Sequence, residues 1–296
     1  MMIFVILILR CQRLFVSESP LNTQQFKRPS VFNWTATYRS DSTVVTPYER
    51  WEYYDPGVRA LNQTVNYAAN KTKKVAWFVS NCAARNGRLE YARNLRYRLH
   101  QHFICKPIND RIKNHFLFFF SKYIDVDIYG ECGSQKCPRA SKDCYKILNT
   151  QYKFYLAFEN SNCVDYITEK FFVNGLKYNI LPIVMGARKQ DYVRSAPEKS
   201  FIHVDDFDGP EQLAKYLHKL DNDDSLYNEY FQWKGTGEMI NTKFFCRVCS
   251  LLHDEQKTRD EESKYYKDIN KWWRGRGICV KDTWRVHSNK TNNSTL

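Results

Sequence analysis

The densest run of chemically capable side chains is Phe154-Tyr-Leu-Ala-Phe-Glu-Asn-Ser-Asn-Cys-Val-Asp-Tyr-Ile-Thr-Glu-Lys170. An apolar stretch passes into a polar turn and then into the start of a helical pattern. Such a junction gathers free backbone N–H groups and the positive end of a helix dipole, which suits an anion. Thr168, Glu169 and Lys170 fall in the first helical turn. Lys170 can meet a phosphate, and Glu169 can accept hydrogen bonds from hydroxyls. The same pattern also serves as an N-cap with charged flanks on a solvated face. Arg88 opens a second helical pattern, and its guanidinium fork matches phosphate oxygens; a solvated helix residue is the alternative. Asp125-Val-Asp127 has the spacing of a metal motif. It sits inside a strand pattern, where alternation puts both carboxylates on one face, and reads as structural.

The elements that must position these groups alternate along the chain. Residues 1–16 read as a strand, Lys74–Ser80 as a second and Tyr123–Tyr129 as a third. Tyr152–Phe158, Ile180–Met185 and Phe201–Val204 continue the series. Arg88–His100, Tyr166–Lys177 and Gly209–Leu220 have helical spacing between them. Residues 50–73 are polar and loop-like, and the C-terminal third is helical and polar. Strand–helix–strand alternation implies a parallel sheet with crossover helices. Ligands of such sheets bind beyond the carboxyl ends of the strands. No Walker A, G-x-G-x-x-G, H-E-x-x-H or G-x-S-x-G sequence is present, which removes the commonest NTPase, dehydrogenase, metalloprotease and esterase readings.

The chain has 296 residues, enough for two domains, and 45 Lys+Arg against 32 Asp+Glu, a net +13. Such a balance attracts anions. The charge is spread without a block of like residues, which disfavours nucleic acid as a partner. Ten cysteines accompany six N-glycosylation tripeptides, at Asn33, Asn62, Asn70, Asn289, Asn292 and Asn293. Together they favour an oxidising lumen. Cys246-Arg-Val-Cys249 lacks the second pair or histidines that a structural zinc site needs, so disulfides lead over zinc. Met1–Leu9 is apolar but too short to span a membrane and has no basic flank ahead of it.

The segment F-Y-L-A-F-E-N-S-x-x-x-D-Y-I-T-E-K resembles the signature of the α-1,3-fucosyltransferases, glycosyltransferase family 10. Val31–Ser42 is similar to the family's N-W-T-x-x-Y-R-x-D-S segment, and Val75–Cys82 to its V-A-W-x-V-S-N-C strand. Phe201–Phe207 and Gly235–His253 look like invertebrate members. The resemblance runs from about Gln12 to Cys279. It implies an α/β protein of GT-B type, with two Rossmann-like domains and a cleft between them. The implied division is an acceptor-side domain over 1–145 and a GDP-fucose-binding domain with a cysteine-containing helical tail over 146–296.

The implied activity is transfer of L-fucose from GDP-β-L-fucose to a GlcNAc hydroxyl of a glycoprotein glycan, with inversion. Arg88, Tyr155, Asn160, Tyr166, Glu169 and Lys170 then form the donor site. Inversion in one displacement needs a base on the acceptor side. Glu18, in Ser17-Glu-Ser-Pro20, takes that role by its place in the family's E-S-P loop; outside the family it would be an ordinary surface charge. Lys170, Arg88 and the helix start neutralise the leaving diphosphate, so no obligatory metal or other cofactor is expected. The resemblance allows stimulation by Mn2+. It also implies the Golgi lumen, disulfides that include the Cys246 and Cys249 pair, and a type II membrane anchor in the full-length form.

Two departures from the family accompany these expectations. The chain opens just ahead of the E-S-P loop, so an incomplete N-terminal domain is expected. Residues 100–120 form an unusual insertion of roughly 18 residues where connections usually run 2–6; it reads as a real loop or as an error of the gene model. The rival readings are a truncated relative that binds donor or glycan without turnover, and a basic protein that binds nucleic acid or heparin. Core GlcNAc and Lewis-type antennae share the donor machinery, and the invertebrate-like segments tilt the reading toward the core.

Overall fold

The computed structural model describes residues 4–8, 12–20, 25–108, 111–138, 142–254 and 265–285. Its centre is a sheet of five parallel strands. These are β6 (Lys73–Phe78), β9 (Val126–Tyr129), β10 (Tyr152–Phe158), β12 (Leu181–Met185) and β13 (Ile202–His203), in the order β13-β12-β10-β6-β9. Every residue of β10 is buried. That is why it reads as an unbroken apolar and aromatic run rather than an alternation: helices cover both faces of a parallel sheet.

Phe154, Leu156 and Phe158 point to one face. There they pack with Ala92 and Leu95 of α1 (Arg88–Arg96) and Leu213 and Leu217 of α5 (Pro210–Asp221). Tyr155 and Ala157 point to the other face. There they meet Leu148 of α2 (Lys142–Thr150), the helical turns from Glu169 to Leu176, and Tyr192 of α4 (Lys189–Ser195).

A second sheet precedes the first in the chain. It is formed by β1 (Phe4–Ile8), β2 (Gln12–Ser17), β3 (Trp34–Thr37) and β4 (Val44–Val45), antiparallel in the first pair and parallel in the rest. The single strand expected over 1–16 is thus two, paired Phe4 to Val16. The C-terminal third crosses back to this sheet. Phe244, Val248, Leu251 and Leu252 of α7 (Phe244–His253) pack on Leu14, Trp34, Ala36 and Val44. Ile269 and Trp273 pack with Phe15, Phe32 and Tyr38 on the other side. The boundary expected at residues 145/146 lies inside the five-stranded sheet, because β6 and β9 pair with each other and β6 with β10. Strand order depends on pairing between distant segments, which local patterning does not encode.

Three further expectations change. The helix from Arg88 ends at Arg96 rather than His100, and Tyr97 is extended. The chain there enters β7 (Tyr97–Ile108), which pairs antiparallel with β8 (Arg111–Lys122). The insertion over 100–120 is therefore a two-stranded ribbon. Residues 50–73 contain a strand, β5 (Arg50–Tyr53), that pairs with β14 (Gly237–Ile240). Gly130 turns the chain at the end of β9 with φ 97°, and an added Cβ would lie 2.5 Å from Val79 O.

Lys71, just ahead of β6, is buried and donates to Asn179 O. Burial, reinforced by the charges of Lys234 and Lys153, brings its ammonium down to about 7 from 10.5. The unfolded chain then holds the extra proton between these values, so stability rises with pH across that window. The urea midpoint of the native chain should climb between about 7 and 10.5, and Lys71→Met should flatten the climb. Equal slopes in the two proteins would refute the assignment.

Candidate active site

A cavity of about 490 Å3 lies beyond the carboxyl ends of β6, β9 and β10. Arg88, Asn160, Glu169 and Lys170 all line it, facing the aromatic rings of Phe78, Tyr129 and Tyr145. Four of the seven residues expected at the site are therefore brought together. Each arrives from the end of a strand or the start of a helix, as an open α/β sheet requires.

The helix start differs from expectation. Thr168 is the N-cap of a short α-helical turn, Glu169–Phe171, that continues as a π-helix over Phe172–Leu176. The anion at this helix start is the protein's own Glu159. Its carboxylate is fully buried and accepts from Thr168 N at 2.8 Å. Thr168 Oγ1 lies 2.8 and 2.9 Å from its two oxygens, and Lys170 Nζ donates to Oε2 at 3.0 Å. Gly186 makes room for it: a Cβ there would sit 2.6 Å from Glu159 Cγ.

Lys170 also donates to Thr168 Oγ1 at 2.8 Å and to Glu169 Oε1 at 3.2 Å. Burial opposes its charge, but the Glu159 and Glu169 carboxylates outweigh burial and hold the ammonium above its ordinary pKa. Burial also pushes the Glu159 carboxyl up, against the pull of Lys170. For Glu169, burial is outweighed by Lys170 and Thr168, and its pKa falls below the ordinary value.

Arg88 reaches the cavity but is 3% exposed, and its fork is largely spent on backbone. Nη1 donates to Phe158 O at 2.9 Å and Nη2 to Asn81 O at 2.8 Å, tying the end of β10 to the turn after β6. Its Nε and the Asn160 Oδ1 are buried without a partner. Tyr155 and Tyr166 are not among the lining residues. Tyr155 lies just behind the lining: it accepts from Asn174 Nδ2 at 3.2 Å and packs on Phe78, both of which line the cavity. Tyr166 donates to Ser19 Oγ at 3.4 Å and packs its ring on Tyr38, so it joins the cavity wall to the loop of Glu18. Glu18 is exposed and lies outside the cavity. Its backbone oxygen accepts from Tyr48 OH at 2.7 Å. Burial raises that phenol's pKa, and Tyr166, Glu159, Glu169 and Glu18 add to the rise.

Sequence reasoning passed over Glu159. The available signal was its position directly after a wholly apolar strand and nine residues ahead of Thr168. It also passed over Asn86, whose Nδ2 donates to Glu159 O and to Asn162 Oδ1, both at 2.9 Å.

Disulfides Cys82–Cys132 and Cys137–Cys144 brace the loops around the cavity, and Cys163–Cys279 fastens β11 (Asn162–Cys163) to β15 (Cys279–Val280). Cys246 and Cys249, expected to be oxidised, are both free thiols exposed on α7. The other cysteines with described side chains are already paired among themselves, which leaves these two no described partner. Asp127 accepts from Tyr152 OH at 2.6 Å and lies 3.5 Å from Lys73, a structural use of that carboxylate. Among the described residues no group of three or more His, Cys, Asp or Glu gathers to hold a metal. A larger cavity of about 810 Å3 opens between the two sheets, beside Tyr38, Arg50, Arg194 and Arg247, but contains none of the seven expected residues.

Comparison with known proteins gives a consistent result. Residues 13–49 match the family model described as fucosyltransferase, N-terminal. The chain is 56% identical over 273 residues to glycoprotein 3-alpha-L-fucosyltransferase A of Drosophila melanogaster, covering 92% of this chain and 49% of that protein. It is 36% identical over 247 residues to a 4-galactosyl-N-acetylglucosaminide 3-alpha-L-fucosyltransferase of Homo sapiens, covering 82% of this chain and 60% of that one. The chain thus spans about half the length of the curated relatives it matches. A solved alpha1,3-fucosyltransferase aligns with a TM-score of 0.50 at 15% identity, over 82% of this chain and 74% of that chain, a likeness of the GT-B fold alone. Residues 104–272, more than half of the chain, match the model described as glycosyltransferase family 10 (fucosyltransferase) C-term. The chain belongs to that family.

Proposed function

We propose that this chain carries an α-1,3-fucosyltransferase activity, moving L-fucose from GDP-β-L-fucose to a GlcNAc hydroxyl of a glycoprotein glycan with inversion. The observation that carries the reading is the convergence of Asn160, Glu169 and Lys170 on one cavity beyond the strand ends, in a chain of the fucosyltransferase family. Lys170 takes the diphosphate. Its charge is held by Glu159 from below, and Glu169, the exposed partner, is the one a phosphate displaces. Asn160 Oδ1, buried and unpartnered, accepts from a donor hydroxyl. Arg88 keeps the two strand ends in place. Tyr155 and Tyr166 support the floor and wall.

The acceptor oxygen attacks the fucose C1 as the C1–O bond to GDP breaks. The hydroxyl proton goes to Glu18, and the negative charge left on GDP is neutralised by Lys170. No step needs an obligatory metal, and Mn2+ acts as a stimulant. The compartment is the lumen of the secretory pathway, in the Golgi, supported by three disulfides. Among the described residues no helix is long and apolar enough to cross a membrane. The name of the Drosophila relative supports a glycoprotein as acceptor. A second reading, donor binding without turnover, is favoured by the place of Glu18 outside the cavity.

GDP-fucose binding and transfer to a GlcNAc-terminated biantennary glycopeptide, measured on one secreted sample, test the two readings. Transfer supports the first, and binding without transfer supports the second. Lys170→Met should weaken GDP-fucose at least about tenfold, roughly 1.4 kcal/mol, in calorimetry; unchanged affinity would remove Lys170 from the donor site. Glu18→Gln should keep donor affinity while transfer falls by about 10²–10⁴, and normal turnover would place the base elsewhere. Glu159→Ala leaves the partly exposed Lys170 ammonium to Glu169 and unpairs the buried Thr168 donors. It should cost about 1–3 kcal/mol in urea unfolding; a loss too small to measure would mean the pair contributes nothing net.

A further inference from the structure

The six N-glycosylation tripeptides are alike in sequence but not in structure. Three fall at residues 289–295, outside the described residues. Of the other three, Asn33-Trp-Thr35 enters β3 and is buried throughout: Asn33 is 6% exposed, and Trp34 and Thr35 are 0%. Thr35 Oγ1 lies 3.0 Å from Tyr266 OH, and Thr35 N donates to Thr43 Oγ1. The strand cannot carry a bulky polar group at Asn33 and still pack.

Asn62-Gln-Thr64 and Asn70-Lys-Thr72 are the reverse. Asn62, Thr64, Asn70 and Thr72 are all exposed, so both the amide to be modified and the hydroxyl that the modifying enzyme reads face solvent. Both tripeptides sit on the irregular segment between β5 and β6. Asn70 lies in a turn with φ 63°, a left-handed conformation that asparagine tolerates.

A second observation points to the same segment. Tyr54, Val58, Leu61 and Val65 are 67, 37, 41 and 53% exposed, an apolar concentration in one stretch of loop. Contiguous exposed apolar surface marks a covered site or an aggregation liability. Asn62 follows Leu61 directly and lies between Val58 and Val65 in the chain, so an oligosaccharide on it starts beside these exposed side chains.

We infer that Asn62 and Asn70 carry N-linked oligosaccharides and that Asn33 in the folded protein does not. In the reaction Asn Nδ2 bonds to C1 of an oligosaccharide held on a lipid diphosphate. The C1–O bond to the diphosphate breaks, the lipid diphosphate leaves, and one Nδ2 proton passes to solvent. Asn70 precedes the first residue of β6, whereas the donor cavity begins at its far end. A six-residue strand separates them, about 20 Å. A glycan there leaves the cavity mouth clear.

The inference rests on the luminal location proposed above. The test is secretion of the chain from insect cells behind a foreign signal peptide, followed by enzymatic release of N-glycans in 18O-water and site-resolved mass spectrometry of the soluble fraction. Label at Asn62 and Asn70 with none at Asn33 is expected. Label at Asn33, or bare asparagines at 62 and 70, overturns the inference. Asn62→Gln and Asn70→Gln should each remove one step of gel mobility, and Asn33→Gln none. Asn62→Gln should also lower the soluble yield without moving GDP-fucose affinity, and an undiminished yield refutes the covering role. Fucose transfer measured on the same sample separates the two readings. Transfer with both sites bare sinks the glycan inference alone, and occupied sites without transfer sink the activity alone.

Discussion

A single buried carboxylate organises the carboxyl edge of the central sheet. Glu159 follows β10, a strand buried along its whole length, and is itself 0% exposed. Taking a charge out of water costs several kcal/mol unless it is paired and hydrogen-bonded. Thr168 and Lys170 provide that pairing from the next turn of chain. The helix must therefore begin at Thr168, Lys170 must point back toward the strand, and residue 186 must lack a side chain. The same requirement places a cation at the cavity wall. Lys170 is held there for structural reasons before any ligand arrives, which is the preorganisation that stabilisation of a leaving anion needs.

The rest of the edge is fixed by redundant short ties. Asn86 bridges Glu159 O and Asn162, and Asn162 Nδ2 donates to Asp282 O at 2.6 Å. Trp284 Nε1 donates to Gly186 O at 2.8 Å, and the Cys163–Cys279 bond closes the same strap covalently. His203, at the end of β13, takes part through both ring nitrogens. Nδ1 accepts from Asp205 N at 3.1 Å and Nε2 donates to Ala187 O at 3.1 Å, a neutral tautomer that burial enforces by lowering its pKa. The C-terminal segment thus belongs to the cavity's scaffold although it is remote in sequence.

What was legible in the sequence follows from range. Asn160, Glu169 and Lys170 lie within one continuous strand–turn–helix unit, so their convergence was readable from local pattern, as were β6, β9, β10 and β12. Arg88 was found, but its use was not. A guanidinium beside two strand ends is as good a partner for backbone carbonyls as for phosphate, and only the fold shows which oxygens are near. Tyr155 stands one layer behind the cavity surface, against Phe78 and Asn174, and depth of burial in a strand covered on both faces is not written in its local pattern. Glu159 looked like part of a polar turn since burial is a property of what packs around a residue. The place of β6 and β9 in the later sheet, and the docking of α7 on the earlier one, are non-local pairings that an amphipathic pattern announces without naming the partner.

The turn from Asn160 to Thr168 also has a second face, and that face holds the other sheet. Asp165 accepts from Ser40 N at 2.8 Å, Ser40 Oγ at 2.7 Å and Arg194 Nη2 at 2.6 Å, while its own N–H donates to Asp191 Oδ2 at 3.0 Å. These bonds over-determine a backbone at φ 61°, which an aspartate tolerates better than most residues. One residue later Tyr166 reaches Ser19, the neighbour of Glu18. A segment of nine residues thus carries a cavity residue at one end, the N-cap at the other, and the attachment of the Glu18 loop between them. Through these bonds the turn ties the Glu18 loop to the chain that leads into Lys170. A polar loop can make such a tie because its conformation is fixed by hydrogen bonds from the Ser40 turn, α4 and the Ser19 loop rather than by its own propensities.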